Sequence, residues 1–288
     1  MLNELGQTGI QTSLLAFGCA RLGSTLNALS HRQSIALLNE ALDLGVTHFD
    51  TASIYGQGDS ERLIAQALRT RRNEFCLSTK AGQRLSVQQA FLTSAKRPLR
   101  LLAQYLPPVR RRLSRQRALG VSRCFIPEYI GRSLEASLRR LRTDVVDIFY
   151  LHSPSAVDLQ NDELWRLVEH WIRDGKIRSF GVSCDDLDVA RISASLTDIQ
   201  IVQFDIGRGE GSAAALSATQ RNRKAAVVRG VARQFAERRG SYENLRSALR
   251  STAALPGVGA IIIETANRDH LRQNVEAVQD AAARASPE

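Results

Sequence analysis

The chain has 288 residues, 43% hydrophobic side chains and a formal net charge of +10, a length that a single α/β barrel commonly occupies and a composition that excludes a disordered chain. No apolar run approaches the roughly 20 residues of a membrane span, and Met1-Leu2-Asn3-Glu4-Leu5 has neither a basic nor an apolar leader region, so a cytoplasmic protein with no membrane partner is expected. Cys19, Cys76, Cys124 and Cys184 lack the paired spacing of a zinc site or a disulfide framework, which predicts free thiols and no metal.

The first ten residues hold two glycines and few apolar positions, and predict a small hairpin closing the bottom of a barrel. Eight β-type runs follow, at about Ser13–Gly18, Thr47–Ala52, Phe75–Lys80, Val145–His152, Ile177–Cys184, Ile199–Asp205, Ala225–Gly230 and Gly259–Glu264, with amphipathic stretches between them. The alternation predicts parallel βα units, and eight strands suit a closed (β/α)8 barrel forming one domain over residues 1–288. Ser30, Asp59-Ser60-Glu61 and Asn161-Asp162 mark helix starts, while Gly45 and Gly175 mark helix ends.

Residues 84–127, between strands three and four, contain Arg84, Lys96, Arg97, Arg100, Arg110, Arg111, Arg112, Arg115, Arg117 and Arg123 with no Asp or Glu. This one basic insertion accounts for the whole excess charge, whereas a nucleic-acid footprint would spread over the folded body, so no nucleic-acid partner is expected. Pro107-Pro108 breaks any helix within it, leaving a long loop with two short helices after the C-terminal end of strand three. It reads either as a solvated loop or as a lid that steers an anionic substrate inward. Further on, Gly207-Arg208-Gly209-Glu210-Gly211 predicts an extended loop between Asp205 and Ala225.

Functional groups of such a barrel lie at the C-terminal ends of its strands. Asp50 and Tyr55 fall there after strand two, Lys80 ends strand three, and His152 ends strand four. Singly, each has an ordinary structural reading: a helix cap, a loop aromatic, a solvated strand end, a satisfied core histidine. Together, within Gly45-Val46-Thr47-His48-Phe49-Asp50-Thr51-Ala52, Tyr55-Gly56-Gln57-Gly58-Asp59-Ser60-Glu61 and the segments Arg132 to Leu141 and Asp147 to His152, they resemble the signatures of the aldo-keto reductases.

That resemblance implies hydride transfer between a nicotinamide cofactor and the carbonyl or alcohol of a small aldehyde, ketone or sugar. Carbonyl reduction needs a proton at oxygen, and a phenol can supply it if a neighbouring cation tunes its pKa. Tyr55 is then the general acid/base, Lys80 lowers the phenol's pKa, Asp50 holds the ammonium, and His152 orients the carbonyl. A lysine at position 80 is notable in a chain with 35 Arg and four Lys, because a guanidinium is bulkier and never deprotonated.

On the cofactor side the resemblance implies that Ser183, Cys184 and Gln203 meet the nicotinamide carboxamide. Cys184 stands where the family usually has Asn, and a thiol is a poor amide replacement. Glu264, Thr265, Gln273 and Asn274 would hold the adenosine phosphate and adenine. NADP is expected from the family pattern, with NAD the alternative because Glu264 would repel a 2′-phosphate, whereas Arg268 and Arg272 could receive it. A second reading stays open: a catalytically weak barrel of this type that binds nucleotide as a regulatory subunit.

Overall fold

The computed structural model describes residues 2–23, 29–85, 121–207, 209–231 and 242–285. Strands β1 (Leu2–Glu4) and β2 (Gln11–Ser13) pair antiparallel as the expected hairpin. Strand β3 (Leu15–Gly18) opens the barrel, followed by β4 (His48–Asp50) and β5 (Cys76–Ala81). A short antiparallel pair, β6 (Gln83–Leu85) with β7 (Val121–Arg123), precedes β8 (Val146–His152). Strands β9 (Ile177–Ser183), β10 (Ile201–Asp205), β11 (Ala225–Arg229) and β12 (Val258–Ile263) complete the ring, and β12 closes on β3 in parallel register. The eight barrel strands are those expected from the sequence, except that Ser13 ends the hairpin instead of starting the first barrel strand. Residues 86–120, with the short helices expected there, lie outside the described residues.

The helices are α1 (His31–Asp43), α2 (Asp59–Leu68), α3 (Pro127–Leu141), α4 (Asp162–Arg173), α5 (Leu187–Ser195), α6 (Glu210–Arg221), α7 (Tyr242–Ala253) and α8 (Arg268–Ala285). Ser30 caps α1 in a reciprocal capping box with Gln33, and Asn161 accepts from the amides of Glu163 and Leu164. At α2 the cap is instead left-handed Gly58, which makes no side-chain bond, and Asp59 and Glu61 serve only as first-turn acids. Gly45 and Gly175 follow α1 and α4 at positive φ and end them.

The segment expected to be an extended loop after Asp205 is mostly helix α6. Gly209 is its N-terminal cap residue, and the alanines that follow are strong helix formers. The glycine run therefore marks a helix start and not a lack of structure. Among the described residues, no helix is long and apolar enough to cross a membrane.

Strand periodicity separates two cores. Phe149, Leu151, Phe180, Val182, Val202 and Phe204 point out under the helices in the larger cluster. Ala16, Cys76, Ile148, Tyr150, Ile201, Val227 and Ile262 fill the lower barrel interior, and Leu5 and Ile10 of the hairpin turn join them as a floor. Asn3 Nδ2 fastens the hairpin by donating to Gly259 O at 2.8 Å.

Candidate active site

The same alternation that points Cys76 and Ile148 inward brings the next inward positions, one and two steps along each strand, to the open end. On β4 these are His48 and Asp50, on β5 Ser78 and Lys80, on β8 His152, on β9 Ser183, and on β10 Gln203. Strand register then aligns them: Asp50 with Ser78, His152 with Ser183, and Ser183 with Gln203.

Lys80 is fully buried, and an unpaired ammonium there would be prohibitive. Its Nζ donates to Asp50 Oδ2 and, at 2.9 Å, to Thr51 O. Burial alone would raise the Asp50 carboxyl, but the Lys80 ammonium, supported by His48 and Ser78, holds it below its ordinary range. Burial in turn pulls the Lys80 ammonium below its usual value against the attraction of Asp50. The other carboxylate oxygen of Asp50 accepts from Ser78 Oγ at 2.8 Å and Gln203 Nε2 at 3.2 Å, and Gln203 Oε1 accepts from Ser183 Oγ at 2.6 Å.

His48 and Ser78 extend this network and were not singled out in the sequence. His48 Nε2 lies 3.1 Å from Ser78 Oγ. Because the Ser78 proton goes to Asp50, Nε2 is the donor, which fixes the His48 tautomer and leaves its buried Nδ1 without a partner among the described residues. Burial keeps this ring neutral by lowering its pKa to about 4.

Tyr55 stands on a single 3-10 turn, Tyr55–Gly58, just beyond β4. Its ring lies 5.3 Å from Lys80 Nζ and meets the His152 ring edge-on at 5.8 Å between centroids. Burial, then the Asp50 and Glu264 carboxylates, pushes the phenol well above its ordinary pKa. The sequence reading had Lys80 lowering it; that ammonium is already balanced by Asp50, so desolvation prevails. His152 is likewise neutral, lowered to about 3 by burial and then by Lys80.

Tyr55, His152, Ser183, Gln203 and Glu264 share one cavity of about 500 Å³. Arg229 and Asp185 line it too, although neither was anticipated. Arg229 donates to Asp185 Oδ1 at 2.7 Å and to Cys184 O at 3.0 Å, tying the end of β11 to the end of β9. Cys184 itself does not line the cavity: its buried Sγ lies 3.9 Å from Ser193 Oγ of α5, and burial pushes the thiol up to about 12.

The remaining cofactor candidates diverge. Glu264 is at the mouth, 3.5 Å from Arg21 Nε. Thr265 Oγ1 accepts from Asn267 N at 3.1 Å, and Asn267 Oδ1 caps α8 by accepting from Asp269 N and His270 N. Asn274 is buried on α8 and Gln273 is half-buried beside it; neither lines the cavity. Arg268 and Arg272 both pair with Glu40 of α1, the latter at 2.6 Å.

A closed parallel barrel with a buried Lys–Asp pair, a tyrosine and a histidine at its open end defines the class. The aldo/keto reductase family model matches residues 14–206, and the chain belongs to that family. It is 27% identical over 198 residues to L-galactose dehydrogenase of Arabidopsis thaliana, covering 65% of this chain and 50% of that protein. In general the chain spans about half the length of the curated relatives it matches. Among solved structures, the holo form of an aldo-keto reductase from Bacillus halodurans superposes with a TM-score of 0.74 at 23% identity, over 99% of this chain and 96% of that one. An aldo-keto reductase from Klebsiella pneumoniae in complex with NADPH gives 0.67 at 21% identity, over 99% and 95%. At these identities the two structures speak to the fold.

Proposed function

We propose that the protein is an NAD(P)-dependent oxidoreductase acting between the carbonyl and alcohol forms of a small substrate such as an aldehyde, ketone or sugar. The observation that carries this reading is the fully buried Lys80–Asp50 pair set beside Tyr55 and His152 at one cavity wall. Ser183 and Gln203 suit a nicotinamide carboxamide, since a hydroxyl and an amide side by side offer it both donor and acceptor. When bound, the nicotinamide supplies or accepts the hydride. Tyr55 keeps its proton in the resting site and passes it to the substrate oxygen. Its phenolate is then stabilised by the Lys80 ammonium, which Asp50 keeps in place. Neutral His152 donates a hydrogen bond to the same oxygen and so fixes the carbonyl's orientation.

NADP is the cofactor expected from the family pattern, with NAD the alternative. The test is nicotinamide absorbance turnover against a panel of aldehydes, ketones and sugars, on wild type and on Tyr55→Phe. The variant should lose turnover by about three orders of magnitude with cofactor affinity nearly unchanged, because the phenol supplies the proton and little binding energy. Variant turnover close to wild type would remove Tyr55 from this role. Cys184, turned away from the cavity, favours the alternative of a nucleotide-binding barrel with weak or no turnover. Cofactor binding without turnover of any panel member would select that alternative.

A further inference from the structure

Helices α2 and α3 leave between them a trough that the catalytic reading does not use. Arg132, Ala136, Arg139 and Arg140 recur at helical spacing and share one side of α3. Ala136, with only a methyl group, leaves a low floor between long side chains, and Arg62 of α2 forms the opposite rim. Two cavities of about 490 and 370 Å³ lie along the trough and meet at Ala136 and Arg140. The larger reaches Gln83, which also lines the catalytic cavity, so the trough opens next to the mouth.

Its charge is one-sided. Glu61 is committed to Arg140 and Asp59 to Arg62, the latter at 3.0 Å. Arg132, Arg139 and Arg142 are exposed and make no ion pair among the described residues. One guanidinium is positioned in advance: Glu61 is fully buried, is fastened by Thr79 Oγ1 at 2.7 Å, and grips Arg140 Nε. Gly58, at φ +82°, makes room for that side chain, since a Cβ there would fall 2.5 Å from Arg140 Cδ. Planar guanidiniums around a small floor match the oxygens of phosphate in forked geometry. The nearby aromatic, Tyr129, is half-buried and has Arg84 over one face at 5.9 Å, and a lone ring of this kind is a poor platform for a run of stacked bases.

We propose that this trough is a second ligand site, separate from the catalytic cavity, that binds a phosphate-class oxyanion through Arg132, Arg139, Arg140 and Arg142. The proposal stands apart from the oxidoreductase reading and survives its failure. Inorganic pyrophosphate titrated calorimetrically into the full chain at low salt should bind saturably, and the affinity should fall as salt is added. Arg139→Gln with Arg142→Gln should weaken it about tenfold or more, whereas Arg21→Gln, at the catalytic mouth, should change it by less than about twofold. Both trough residues are exposed, so the double variant should keep the wild-type thermal midpoint. No saturable binding by wild type, or equal affinity in the double variant, overturns the proposal. So does tight binding of a homopolymeric RNA that pyrophosphate does not displace. A fall in kcat/KM confined to a phosphorylated carbonyl would identify the oxyanion as part of the substrate, and pyrophosphate binding with no such fall would identify a separate effector; either result retains the site.

Discussion

Lys80 shows what one residue type can do that its nearest substitute cannot. Its ammonium is wedged between Asp50, the Thr51 carbonyl and the rings of Tyr55 and Tyr150, at 5.3 and 5.8 Å from their centroids. A guanidinium is larger and planar and cannot lose its proton, so Lys80→Arg should lower turnover on the order of a hundredfold by displacing the phenol. Steady-state kinetics beside a cofactor titration would separate this from lost binding; near-normal turnover would mean that any cation suffices. His48 makes a different prediction. Its folded pKa of about 4 lies below the ordinary 6.5, so in that window the unfolded chain takes up a proton that the folded chain refuses. The stabilisation is complete above pH 6.5 and is lost as pH falls towards 4, at about 1.4 kcal/mol per pH unit for one proton. His152, lowered to about 3, adds a second proton of the same sign. His48→Gln retains a donor towards Ser78 but removes one titration, so urea unfolding at pH 7 and pH 5 should show a shallower loss than wild type. Asp50, Tyr55 and His152 were legible in the sequence because they sit inside long continuous signatures, and Lys80 because it is a rare lysine at the end of the third strand. His48, Ser78, Asp185 and Arg229 were not, since their partners come from other strands and only barrel closure brings them together.

Among the elements, the strands were read correctly because an inward and outward alternation of side chains leaves a plain trace, whereas α6 was missed because a glycine run at a helix start looks like a loop. Glycine within a strand carries a different message. In β9, Gly181 lies under the Tyr150 ring, and a Cβ there would fall 2.6 Å from both Tyr150 Cε1 and the Ile201 carbonyl oxygen. The carbonyl belongs to the neighbouring strand and cannot yield. Gly181→Ala should therefore cost about 1–3 kcal/mol of stability, read as a lower urea midpoint. It should also lower kcat, because the displaced Tyr150 ring flanks Lys80. An unchanged midpoint would show that β9 and β10 can separate without penalty.

At the scale of the molecule, closure of β12 on β3 sets α8 beside α1, so a residue near position 40 meets residues near position 270. Glu40 thereby occupies Arg268 and Arg272, the two cations that could receive a 2′-phosphate in the sequence reading, while Glu264 stands at the mouth. Glu40→Gln should release those guanidiniums and raise NADPH affinity relative to NADH by about tenfold, and Glu264→Gly should act in the same direction. Competitive titration of both cofactors would measure it; an unchanged ratio in both variants would place the adenosine end away from β12 and α8. Closure has another effect at the opposite end. With Leu5 and Ile10 flooring a core of packed side chains, the cavity of the described barrel lies at the other end, beside Tyr55 and His152. Deuterium should reach the ladder amides around Ser78 and Asp50 only when β4 and β5 open locally, and a ligand held at that end of the barrel should slow their labelling by damping the opening.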